Sequence, residues 1–152
     1  MANIISWGKP KVEIVECSEN GYIPSSSPQW KALPTPVENS SKLDTQEGDK
    51  KEAKIEGGEV IASRQDASKF VFECELYETD DFQEPIEQAN GVVTKYYAVR
   101  LTPEQSGAKG FLMERTSVVV QKTWSAETGG KIKYIFTALK PKTGEMLKPH
   151  SA

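Results

Sequence analysis

The sequence predicts a mainly β domain, a sandwich or barrel of about seven or eight strands with one flanking α-helix and a long Ser/Pro-rich loop. Three observations carry that expectation. Period-two alternation is clearest from Lys69 to Glu78, where Phe70, Phe72, Cys74 and Leu76 alternate with Val71, Glu73, Glu75 and Tyr77. Helical periodicity is convincing once, from Phe82 to Asn90. Turn signals at Glu47-Gly48, Gly57-Gly58, Asn90-Gly91 and Gly129-Gly130 punctuate the runs between. The 152 residues suit a single domain, 1–152, with one continuous core.

The elements follow in order. Residues 1–10 read as an N-terminal arm, and Lys11 to Glu16 as a short first strand with Val12 and Ile14 on its apolar side. Residues 18–37 hold Pro24, Pro28, Pro34 and Pro36 and the triplet Ser25 to Ser27. Four prolines forbid a central strand or helix, so this is a loop long enough to suggest a function, pinned by Trp30 and Leu33. Lys42 to Gln46 and Asp49 to Glu56 read as two polar strands joined at Glu47-Gly48, a hairpin over 42–56. Gly57-Gly58 breaks it, and Glu59 to Ser63 resumes an extended run before the strand at Lys69.

The helix at 82–90 takes Asp81 as its cap, Glu84 three residues on, an apolar stripe of Phe82, Ile86 and Ala89, and Asn90-Gly91 as its stop. Pro85 falls in the first turn, where its missing N–H costs little. Val92 to Leu101 reads as a further strand, and Thr102 to Gln105 opens a single helical turn. Ser117 to Trp124 and Lys131 to Leu139 form a hairpin joined through Gly129-Gly130.

Composition narrows the function classes. Acidic residues number 22 against 19 basic, a net charge of −3. That argues against an electrostatic grip on nucleic acid, which needs a dense basic face. No apolar run approaches the ~20 residues of a spanning helix, and the N-terminus lacks the pattern of a signal peptide. Cytosol is therefore the expected compartment. Cys17 and Cys74 are the two cysteines, and without secretion a structural disulfide is not expected. For the same reason the glycosylation-type triplet Asn39 to Ser41 carries no weight.

Chemistry is sparse. His150, the single histidine, sits two residues from the chain end, where a rigid second shell is rare. One histidine and two cysteines do not make a structural zinc site. Glu78, Asp80, Asp81, Glu84 and Glu87 lack the spaced loop and turn glycine of a calcium hand and read as a solvated, capping face. Gly57-Gly58 is not followed by the lysine of a phosphate loop. No catalytic residue, metal or cofactor is assigned.

The 42–56 hairpin stands out because its apolar residues are only Leu43, Ala53 and Ile55. An isolated hairpin of that kind is marginal in water. It is either a mobile loop, an edge charged against aggregation, or a segment that lies across another copy of the protein.

The N-terminal "WGKPKVEI", the loop "WKALPTPVENSSKLDTQEGDKKEAKIEGGE", the strand "FVFECELYE" and the closing "YIFTALKPKTGEMLKP" resemble bacteriophage tail tube proteins, closest to short versions from phages and prophages of Bacteroides-like bacteria. "EGGE" at Glu56 to Glu59 and "LKPKTGEM" at Leu139 to Met146 weigh most. The resemblance spans most of the chain and rests on structural residues. It implies a β-sandwich with a flanking helix, similar to the tube subunits of type VI secretion systems. It implies hexameric rings stacked into a DNA conduit, with sheets of neighbouring subunits joined and long loops and arms bridging the rings. Expected partners are further copies, tape-measure and tail terminator or baseplate proteins, with DNA passing unbound and no membrane. The expected location is the virion tail, and the host cytoplasm during assembly. Candidate assembly residues are Leu43, Lys51, Ala53, Ile55 and Glu56 of the hairpin and Trp30 of the long loop. The rival reading is a monomeric β-sandwich module binding a ligand or peptide through its Ser/Pro loop, and a weaker third is a hydrolase.

Overall fold

Side chains alternate across a pleated strand, so a run with one apolar face is stable only where that face is covered. The computed structural model describes residues 4–5, 7–18, 21–24 and 28–151, the side chain of Ser151 excepted. Ten strands are present among them: β1 Lys11–Glu16, β2 Lys31–Ala32, β3 Lys42–Gln46, β4 Lys50–Lys54, β5 Val60–Gln65, β6 Lys69–Tyr77, β7 Tyr97–Thr102, β8 Lys109–Ser125, β9 Gly129–Ala138 and β10 Lys148–Ser151.

Eight of them form one antiparallel sheet in the order β2-β1-β7-β8-β9-β6-β3, with β10 added to β8. The 17-residue β8 is its spine. One edge of β8 takes β10 at Lys109 to Leu112 and then β9 from Thr116 to Ser125. The other edge takes β7 from Phe111 to Thr116. The inner faces supply Val12, Ile14, Phe72, Leu76, Val99, Met113, Ile132, Tyr134 and Phe136, each nearly or wholly buried. The sheet curls on itself, so that Leu43 on edge strand β3 and Phe72 line a cleft with Leu101, Phe111 and Leu147 from the far side.

No helix occurs among the described residues, which corrects the expected helix at 82–90. The chain there is a strap, residues 78–92, laid over the inner face from β6 to β8. Three local causes exclude the helix. Pro85 pushes Glu84 away from helical backbone angles. Asp81 accepts a hydrogen bond from the Thr79 hydroxyl at 2.5 Å instead of capping a helix. Asn90 and Gly91, both at positive φ (55° and 81°), form a tight turn across which Ala89 and Val92 exchange backbone hydrogen bonds. Ile86 is fully buried and Phe82 packs on the core, but Ala89 is exposed. The i, i+4 spacing of the first two is met by an irregular segment.

The polar strands also pair differently from the 42–56 hairpin of the sequence. β3 pairs with β6, and β4 pairs with β5. Lys42 to Lys54 is therefore one leg of a long ribbon and Val60 to Glu73 the other, with Gly57-Gly58 at the tip. The pairing register carries through the break at 47–49 and 66–68 without a slip until the bulge at Ala53/Lys54. Gly48 permits the break: a side chain there would overlap the Asp66 carbonyl, and the Asp66 N–H donates to Asp49 at 2.8 Å.

Smaller differences are boundary effects. The strand expected from Val92 begins at Tyr97; Val92 makes isolated bridges to Ala89 and Val119, and Lys95 forms exposed ion pairs with Glu16 and Glu87. Residues after Thr102 form a bend closed by the Ala108 N–H on the Gln105 carbonyl, not a helical turn. Gly129 and Gly130 open β9, and the turn itself is Ala126 to Thr128.

Candidate functional site

The long ribbon has two unlike halves. Its base, β3 with β6, belongs to the curled sheet. Its outer half, which we call the arm, is exposed at every residue from Asp49 to Ala67, and β4 and β5 hydrogen-bond only to each other as strands. At about 3.3 Å per residue the arm extends ~25 Å. Gly57 and Gly58, at φ 96° and 85°, turn the tip with open space around them. The Ile55 N–H donates to Glu59 at 3.0 Å and the Gly58 N–H to Ile55 at 3.1 Å.

Four of the expected assembly residues are brought together here. Lys51 and Ala53 lie on β4, and Ile55 and Glu56 lead into the tip, all exposed. Leu43 and Trp30 are elsewhere. Leu43 is half-buried beside Phe72 at the base. Trp30 lies 4.3 Å from the Arg100 guanidinium, which grips Glu13 through two hydrogen bonds at 3.1 and 3.3 Å. Trp30 therefore pins the loop 18–37, of which residues 19–20 and 25–27 lie outside the described set. Leu33 joins it, buried in the core with its N–H on the Val12 carbonyl at 2.9 Å. Of the N-terminal arm 1–10, residues 1–3 and 6 lie outside the described set, and the Lys9 N–H is held by Glu104 at 3.0 Å.

The sequence reading missed the contribution of β5. Val60 and Ile61 are 46% and 63% exposed, beside Ile55 at 46%, so three aliphatic residues crowd a small projecting tip. Two extended runs flanking Gly57-Gly58 were the signal for this hairpin. Ion pairs on the arm, Lys50–Glu47 at 3.6 Å and Lys54–Glu52 at 3.9 Å, are well exposed and contribute little.

Burial sets the protonation of the buried titratable groups. Burial pushes the Cys74 thiol up to about 12 and the Cys17 thiol to about 11, so both stay protonated near neutrality. The Tyr134 phenol is likewise raised by burial, and its hydroxyl has no hydrogen-bond partner among the described residues. Lys122 donates to Glu84 and holds that carboxyl below its usual range, which ties the strap to β8. His150 meets the Thr102 hydroxyl at 3.1 Å within the β10 region. Among the described residues no three His, Cys, Asp or Glu side chains are grouped to hold a metal. A groove of about 610 Å³ is walled by Trp7, Pro10, Pro36, Val37, Leu101 and Pro103, with Lys9 and Glu38 as its charges.

The chain matches no protein-family model and no curated protein. Among the described residues no helix is long and apolar enough to cross a membrane.

Proposed function

We propose that the protein is a non-catalytic self-assembly subunit of the tail-tube kind, building hexameric rings that stack into a conduit for DNA. The observation that carries this is the arm. A two-stranded ribbon bare on both faces lacks a core and is marginal alone, yet this one continues the register of a well-buried sheet. Its stabilisation comes from a neighbour. The phage setting, with tape-measure and terminator or baseplate partners and a virion-tail location, rests on the four resembling sequence segments. A mildly acidic subunit suits a lumen along which DNA slides without sticking.

The test is concentration of the purified full chain, followed by light scattering and negative-stain microscopy. Rings or tubes are the expected outcome, and a protein that stays monomeric at millimolar concentration would sink the reading. The groove beside Trp7 favours a second reading, a monomeric module that binds a peptide between the N-terminal segment and the Pro36 loop. A peptide library giving a saturable binder lost on Trp7→Ala, with no assembly at any concentration, would select that alternative.

A further inference from the structure

The arm leaves both of its ribbon edges without a strand among the described residues, and the order of charges along β4 selects what fits one of them. In an antiparallel ladder successive residues turn their backbone N–H and C=O to alternate edges. The Asp66 N–H donates to Asp49 at 2.8 Å and the Ile55 N–H to Glu59 at 3.0 Å, so the odd-numbered residues of β4 face β5. Lys50, Glu52 and Lys54 therefore turn their backbone groups outward. Every residue of β4 is exposed.

The segment reads Lys50-Lys51-Glu52-Ala53-Lys54-Ile55-Glu56, and its charges invert about Ala53. Laid antiparallel on a copy of itself with Ala53 at the centre, it brings Glu52 opposite Lys54, Lys50 opposite Glu56 and Lys51 opposite Ile55. Even-numbered residues meet even-numbered ones, so outward backbone groups meet outward groups. Every opposed charge is of opposite sign, and the Lys51 stem covers Ile55. The match is local and needs no net charge on the arm. A slip of two residues is the next step that keeps outward groups paired. One way it sets Lys54 against Lys54 and Glu52 against Glu56; the other way it sets Glu52 against Glu52 and Lys50 against Lys54. Like charges directly opposite are destabilising, so the charges fix one register. The ion pairs these residues make within the chain, Lys54–Glu52 at 3.9 Å and Lys50–Glu47 at 3.6 Å, are well exposed and compete weakly.

We infer that β4 of one copy pairs antiparallel with β4 of a second copy about a two-fold axis at Ala53, so that two two-stranded ribbons become one sheet in the order β5-β4-β4-β5. This rests on the self-assembly reading and names what stabilises the arm. Backbone pairing supplies affinity, and the charges set register. The added strands provide what a lone two-stranded ribbon lacks. Ala53 and its register partner Ala62 line the middle of the joined sheet. The contact is isologous and closes at two copies, so ring closure and further stacking use other surfaces. In a stacked assembly it joins a copy in one ring to a copy in the ring that faces it.

The test is a pair of single charge reversals in the full chain, Glu52→Lys in one variant and Lys54→Glu in the other. Both side chains are exposed, and circular dichroism checks the fold. Sedimentation equilibrium at low salt is expected to show dimers of the parent, or larger species built from them. Each reversal sets like charges opposite and is expected to weaken association about tenfold or more. An equimolar mixture of the two variants restores opposite signs at every pair and is expected to return to within about threefold of the parent. On mild oxidation Ala53→Cys chains are expected to cross-link to each other faster than Ala62→Cys chains, which carry the thiol one strand from the axis. The native Cys17 and Cys74 are buried and do not compete. Reversals that associate as the parent does, a mixture no better than its components, or equal cross-linking at the two sites overturn the pairing, while rings or tubes of the parent keep the self-assembly reading. A parent that stops at dimers keeps the pairing and overturns the stacked rings. A parent monomeric at every concentration overturns both.

Discussion

Phe72 meets Phe111 edge to face, with ring centroids 5.2 Å apart and planes at 67°. Their strands are not neighbours, because β9 lies between β6 and β8. The contact therefore reports the curl of the sheet. Phe72 also stacks with Phe136 at 6.0 Å on the adjacent strand. Phe72→Ala should destabilise the monomer by roughly 3–5 kcal/mol, the range for truncating a buried phenylalanine. Denaturant unfolding measures it, and a loss below about 1 kcal/mol would show that the curl is held elsewhere.

Glu13, only 8% exposed, depends on Arg100 for its partner. Arg100→Ala leaves that carboxylate nearly buried and unpaired, and should cost about 3 kcal/mol. Trp30→Ala should cost less, because it removes a stacking contact and strands no charge. Equal losses for the two variants would contradict this order.

The arm should exchange its amide hydrogens quickly in the monomer and slowly in an assembly, since in the monomer it lacks a core. Replacing Ala53 and Ile55 together by Pro removes the Ile55 donor to Glu59 and opens the tip. The far-UV spectrum and unfolding midpoint should change little, and assembly should be lost. A folded double-proline variant that polymerises like its parent would rule out the arm.

Gly91→Ala tests the strap. Gly91 sits at φ 81°, and a side chain there would lie 3.3 Å from the Val120 carbonyl oxygen. Strain of about 1–2 kcal/mol is expected, with faster exchange at Ala89 and Val92. An unchanged exchange pattern would mean that the turn does not hold the strap on β8.

Cys74 supplies a pH signature. Burial raises its thiol from 9.0 to about 12. Between those values the unfolded chain loses a proton that the folded chain keeps, so stability falls as pH rises. Cys74→Ala should flatten the fall over that window relative to the parent. The folded thiol should also resist maleimide at neutral pH. Labelling at the rate of a free cysteine would place it outside the core.

Alternation alone sufficed for β1 and for β6 with its Phe72 face, because a period-two pattern with one apolar side fits only a covered strand. It failed where both sides are polar. Lys42 to Gln46 and Lys50 to Lys54 look like two legs of one hairpin, yet they share a leg, since register depends on what lies across the ribbon and not on the run itself. The strap misled for a related reason. Phe82 and Ile86 share a helical spacing, but Pro85 and the Asn90-Gly91 turn decide the backbone.

The sequence by itself determined a mainly β chain, the long pinned loop and a polar segment unable to bury itself, because those follow from local pattern and composition. Only the tertiary structure decided which strands pair, that β5 completes the arm, and that the strap ends on β8. Those features depend on contacts between residues far apart in the chain, which local periodicity does not encode.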